Sequence, residues 1–318
     1  MLLEDTFKMR SFKRSLPVYF FLSLLAQWFI HEGLAKEPSA VTAGMAVPKR
    51  IVSLAPSVTE TLFALGAGNR LVGVTTYCDY PPPAQKIPKI GDFVNPSIEA
   101  VLAQQPDLVI GVPEGTDQEK VRLMERLGLR VLVVSVSGLS GILSSIKLIA
   151  GALGKEEAGE KLVLKIQTQM NHVRKRIEGA RRRRVLMVVG FRPLVAVGKG
   201  NFIDELITLA GGENIAAAAP QPWPHLPVEY VVAKAPQIII EAGMGSEREE
   251  SRKRWADLKS IPAVKEGSIY SYPSDKILRP GPRAGEALEE LARLIHPECF
   301  PHSNRKHIEE SGCESSKP

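Results

Sequence analysis

The feature that most limits the fold lies in the middle of the 318-residue chain. Ala158, Leu162, Ile166, Met170, Val173 and Ile177 recur at steps of four, four, four, three and four. That spacing lays one apolar stripe along a helix from about 156 to 178. At 1.5 Å per residue such a helix is roughly 35 Å long, about the width of a small domain. On both sides of it short apolar runs alternate with amphipathic stretches. A helix of this length between two α/β halves reads as a strut joining two lobes. The alternative, one more helix covering a single larger sheet, stays open at this point.

Before the strut, residues 51–54, 71–75, 107–112 and 131–136 read as strands. Helices are expected at 57–65, 96–105, 117–127 and 139–153. Ser57 and Glu60 stand at the spacing of a capping box, and Gly66 stops that helix. After the strut, strands are expected at 185–189, around Ala196, at 238–241 and at 269–272. Helices follow at 202–210, 228–234, 249–258 and 285–295, with Trp255 as packing material inside one of them. Short apolar strands alternating with helices predict parallel sheets covered on both faces.

The N-terminus carries an export signal. Lys8, Arg10, Lys13 and Arg14 precede an apolar run at 16–30, broken only by Ser23 and Gln27. Gly33-Leu34-Ala35 then offers a small-x-small cleavage point before Lys36. The run is shorter than the ~20 residues a spanning helix needs. Residues 1–35 are therefore expected to be a signal peptide and 36–48 a linker, with an uncleaved N-terminal tether as the alternative. The first cysteine after the run is Cys78, too distant for lipid attachment. Cys78, Cys299 and Cys313 make no disulfide framework, and pairing of Cys299 with Cys313 stays open. Residues 298–318 are polar and without periodicity, and are expected to form a disordered tail.

The formal net charge is +6, much of it in the run Arg181, Arg182, Arg183 and Arg184. No basic face with interleaved aromatics is visible, so nucleic acid is not an expected partner. The sequence has no Walker loop, no H-E-x-x-H and no G-x-S-x-G, and no catalytic or metal residues are assigned. Gly198-Lys199-Gly200-Asn201 precedes a helix but lacks the rest of a phosphate-binding fingerprint. An enzyme such as a chelatase would rest on His225 with Glu229 one turn on, and the chain is not expected to be one. The informative residues sit in loops after strands, where α/β sheets place ligands. Tyr77, Asp79 and Tyr80 share one loop, Phe93 a second, Trp223 between two prolines a third, and Asp275 and Arg279 a fourth. Two loops in each half predict a cleft lined from both sides.

The stretches RIVSLAPSVTE (50–60), YCDYPP (77–82), PDLVI (106–110), GGENI (211–215) and PWP (222–224) carry a resemblance. The chain resembles the periplasmic binding proteins of iron-siderophore and cobalamin ABC importers over about 50–296, most nearly the cobalamin-binding branch. The resemblance implies an α/β fold of two Rossmann-like lobes, 49–154 and 181–297, joined by a single long helix at 155–180, with the ligand between them. It implies capture of cobalamin or a related corrinoid in the periplasm, as transported ligand and not as cofactor, and delivery to an inner-membrane permease. Haem or a ferric siderophore is the alternative cargo. A monomer is the expected state.

Carried over by position, Tyr77 matches a tyrosine at the corrin face, and Trp223 an aromatic from the other lobe. Asp275 and Arg279 match polar contacts to the ligand's rim. With Asp79, Tyr80 and Phe93 they make the expected binding set. Glu99 and Glu229 match the acidic residues that dock onto permease arginines, and each also suits a helix-dipole role. Phe93 and 112–114 stand where the cobalamin branch often has further tryptophans. For haem, Tyr77, Tyr80 or His225 would be the axial ligand; for an anionic siderophore, Arg192, Arg279 and Arg283 would be the cations.

Overall fold

Residues 46–242, 248–272 and 275–300 are described in the computed structural model. The expected signal peptide, most of the linker and Cys313 lie outside the described residues.

The first half builds one parallel sheet from β1 (Ile51–Ser53), β2 (Leu71–Val74), β3 (Leu108–Gly111) and β4 (Val131–Val133), in the order β2-β1-β3-β4. Its helices are α1 (Pro56–Ala64), α2 (Ile98–Ala103), α3 (Gln118–Arg126) and α4 (Gly138–Ala152). Both faces are covered, and the strands are accordingly short and continuously apolar.

The second half is a separate sheet of β5 (Arg183–Phe191), β6 (Leu194–Ala196), β7 (Gly212–Asn214), β8 (Ile238–Ala242) and β9 (Ile269–Tyr272). The order is β6-β5-β8-β9, with β7 also paired to β5 and only β6 antiparallel. Around it lie α6 (Phe202–Leu209), α7 (Val228–Lys234), α8 (Arg248–Trp255), α9 (Pro262–Lys265) and α10 (Ala284–Ile295). Strand β7 has no sequence signature, because Gly-Glu-Asn offers no apolar run. It is a strand only through its register against Arg183, Arg184 and Val185.

Between the sheets runs α5 (Glu156–Arg176), which packs on α4 of the first lobe and α10 of the second. The strut reading holds. The apolar face is wider than the expected stripe: Gly159 and Val163 are buried with Ile166 and Val173, while Ala158, Leu162 and Met170 are half-buried. A helix seated in a groove between two others buries two flanks, not one line. Close approach needs small residues at both contacts. A methyl group added at Gly159 would stand 2.5 Å from Ala150 Cβ, and one at Gly285 would stand 2.9 Å from Gln169 Cβ. Gly159→Val is therefore expected to force α4 and α5 apart, with an overpacking loss of about 1–3 kcal/mol. A thermal melt reads this as a drop of several degrees, and an unchanged midpoint would deny the close approach.

Three local expectations change. Helix α1 starts at Pro56, with Ala55 at its N-cap and no side-chain cap bond. Proline fits the first helical position and starts the helix ahead of Ser57, so no capping box forms and Glu60 is released for another use. The helix expected from 96 begins instead at Ile98, because Ser97 caps it by accepting from the Ala100 N–H at 3.1 Å. Residues expected at the start of the tail are ordered: Pro297–Cys299 form a 3-10 turn and Phe300 is buried between the guanidiniums of Arg176 and Arg293, each 5.1 Å from its ring, while the rest of the expected tail lies outside the described residues. The arginine run proves to be carbonyl-capping. Arg182, Arg183 and Arg184 donate to the carbonyls of Gly212, Ile295 and Lys234 respectively. Trp255 is buried, with Nε1 donating to Glu241 Oε1 at 2.8 Å.

Candidate functional site

Parallel strands point their carboxyl ends, and the loops that follow, toward one edge of each sheet. In the first lobe these ends supply Ser57 in the first turn of α1, Tyr77 after β2, Val112 and Glu114 after β3, and Ser137 and Gly138 where α4 starts. The second lobe supplies Asn201, Phe202, Trp223, Leu278 and Arg279. Together they enclose a cleft of about 660 Å³. Its walls are mostly apolar, with a few polar groups at intervals, which is the usual make-up of a small-molecule site. Tyr77 is 59% and Trp223 46% exposed, so two large rings from opposite lobes stand uncovered in one cavity.

Each ring is held by its loop. Beneath Tyr77 the Cys78 thiol is fully buried, its Sγ 3.2 Å from Thr59 Oγ1 and 3.1 Å from Thr75 Oγ1. Trp223 is fixed through Pro222, whose carbonyl accepts from the Gly198 N–H at 2.9 Å and from Asn201 Nδ2 at 3.0 Å. Gly198 is needed there, since an added methyl would come within 2.7 Å of Pro224 Cδ. Asn201 Oδ1 also accepts from the N–H groups of Ile203 and Asp204, capping α6. The glycine stretch noted in the sequence is thus a scaffold for the tryptophan loop. Phe93 lines the first-lobe wall and lies over Gly115, where a side chain would meet the ring.

Charge enters through two arginines of the second lobe that reach the first. Arg279 Nη1 donates to Asp79 Oδ1 at 2.7 Å and to Glu60 Oε1 at 3.2 Å, while its Nη2 donates to the Tyr77 carbonyl at 3.1 Å. Arg283 donates from Nε to Glu60 Oε2 at 2.7 Å and from Nη2 to Glu60 Oε1 at 2.5 Å. The Arg283 guanidinium also lies 4.0 Å above the Tyr80 ring. A further inter-lobe bond joins the other side of the lobes. Helix α4 gets no cap from its own Ser137, and Glu205 of α6 accepts from the Leu139 N–H at 2.9 Å instead.

Of the expected binding set, Tyr77, Phe93, Trp223 and Arg279 line the cleft together. Asp79 is absent from the lining and is held by Arg279. Tyr80 is absent from the lining; its ring, 44% exposed, lies under the Arg283 guanidinium. Asp275 opens a 3-10 turn, Asp275–Leu278, but its side chain lies outside the described residues. His225 and Arg192 are exposed and outside the lining, and His225 bridges to Val195 through the backbone. Glu60, Phe202 and Leu278 were not singled out by sequence, since each looks like an ordinary helix or loop residue.

Glu99 and Glu229 are exposed in the first turns of α2 and α7, away from the cleft lining. Backbone hydrogen bonding at the start of α2, and then the Ser97 hydroxyl at 3.1 Å, hold the Glu99 carboxyl below its usual range.

Residues 51–276 match the family described as periplasmic binding protein. The vitamin B12-binding protein of Salmonella paratyphi A is 31% identical over 246 residues, covering 77% of this chain and 90% of that protein. Among solved structures, the periplasmic vitamin B12 binding protein BtuF of Vibrio cholerae matches with a TM-score of 0.70 at 27% identity, over 79% of this chain and 97% of that one. The periplasmic heme-binding protein RhuT from Roseiflexus sp. RS-1, in apo form, matches with a TM-score of 0.72 at 28% identity, over 79% of this chain and 99% of that one.

Proposed function

The chain belongs to the periplasmic binding protein family, and from that premise we propose that it is the substrate-binding component of an ABC importer, capturing cobalamin or a related corrinoid and passing it to a membrane permease. The observation that carries this reading is the pair of uncovered rings, Tyr77 and Trp223, facing one cavity of about 660 Å³ from opposite lobes. Aromatic side chains give a flat macrocycle a large contact area while losing few rotamers. Ser57 and Ser137 add neutral hydrogen-bonding groups to the wall. Holding and releasing a ligand needs no covalent step, and the chain is read as a carrier and not an enzyme. The signal peptide expected at 1–35 supports a periplasmic location.

A calorimetric titration of the purified protein with cyanocobalamin is expected to give tight one-to-one binding. No binding would move the cargo to haem. That second reading rests on the likeness to RhuT and on Tyr77, the one tyrosine or histidine among the described lining residues. A haemin difference spectrum showing phenolate ligation, lost in Tyr77→Phe, would establish it.

Delivery requires a docking face, and we assign it to Glu99 and Glu229, one on each lobe. The double reversal Glu99→Arg, Glu229→Arg is expected to leave the cyanocobalamin Kd within about twofold, since exposed charges off the cleft contribute little to it. The same variant should lose its stimulation of permease ATP hydrolysis in proteoliposomes. Full stimulation by the variant would remove both residues from the docking face.

A further inference from the structure

We propose that Glu60 and Asp79 make the cleft selective against anionic cargo by occupying the one cation that lines it among the described residues. This rests on the carrier reading and names its specificity. The charged side chains in the lining are Arg279 and Glu114. Arg279 is only 10% exposed and is already bonded to Glu60, Asp79 and the Tyr77 carbonyl. Glu60, 1% exposed, is shared with Arg283, so the second arginine brings no further positive charge to the cavity wall. A ligand carboxylate approaching Arg279 must compete with Asp79 and then sit beside its carboxylate, and like charges at that range repel. A cargo whose edge is uncharged meets no such repulsion.

Haemin and its dimethyl ester test the claim, because they differ only in two carboxylates. Both are titrated by fluorescence quenching against the full protein and its Asp79→Asn and Glu60→Gln variants. The wild type is expected to bind the ester more tightly than the acid. Each variant should shift that ratio toward the acid by on the order of tenfold, the scale of one charge-assisted hydrogen bond. If Glu60→Gln fails to fold, Asp79→Asn decides alone, because its side chain is at the surface. A wild-type preference for the diacid, a ratio unchanged in the variants, or no haemin binding by either variant overturns the proposal. A cyanocobalamin titration of the wild type separates the cases: its failure defeats the corrinoid reading, while the ester-to-acid ratio still decides the charge selection.

Discussion

Trp223→Ala is expected to weaken corrinoid binding by at least about thirtyfold, and Tyr77→Ala by a similar factor. Truncating a buried aromatic anchor at a binding surface commonly costs about 2 kcal/mol or more, and every 1.4 kcal/mol is tenfold. Both rings qualify as anchors. They are large, they stand uncovered in the free protein, and their loops are fixed by bonds that do not involve the rings. For the same reason their removal should leave the fold intact, so the melting midpoint of each variant without ligand should stay close to that of the wild type. The rings face one ligand from opposite sides, and the double variant should fall short of the sum of the two losses. Isothermal calorimetry checks all three proteins. An unchanged Kd in both single variants would remove this cleft as the cargo site.

The second large effect concerns stability. Glu60→Ala is expected to lower it by about 3–5 kcal/mol, because removing one partner of a buried ion pair strands the other. Here Arg283 and Arg279 both lose this carboxylate, while Arg279 keeps Asp79. For a protein of this size each kcal/mol moves the midpoint by ~2–4 °C, so the melt should drop by about 6–20 °C. Arg283→Met should cost less, because Glu60 keeps Arg279. Combining Glu60→Met with Arg283→Met should recover part of the loss, since an apolar pair leaves fewer buried charges. A double variant as unstable as the sum of its singles would show that the two side chains do not act as a pair.

What the sequence conveyed and what it withheld follow from range. The strut was legible because its periodicity runs over more than five turns and needs no knowledge of its partners. Tyr77 and Trp223 were legible because an aromatic residue in a proline-braced loop after a strand has few structural uses. Glu60 was not: its local pattern, Ser-x-x-Glu, matches a helix cap, while its partner Arg283 is 223 positions away. The proline at 56 decided against the cap, and that effect on the helix start is visible only once the helix exists. The position of Tyr80 was hidden for a related reason. From sequence it shares a loop with Tyr77, yet a ring three residues on points elsewhere and finds a guanidinium to lie against. Strand β7, three residues of Gly-Glu-Asn, is defined wholly by the strand beside it.

The cap that Glu205 places on Leu139 has a use of its own. That amide belongs to one lobe and its acceptor to the other, so the bond exists only while the two stay together. Parting of the lobes breaks that bond, so exchange of its hydrogen should quicken whenever they part more often. Leu139 therefore gives the protein an internal clock for opening, readable by deuterium uptake with or without cargo, and independent of what the cargo is.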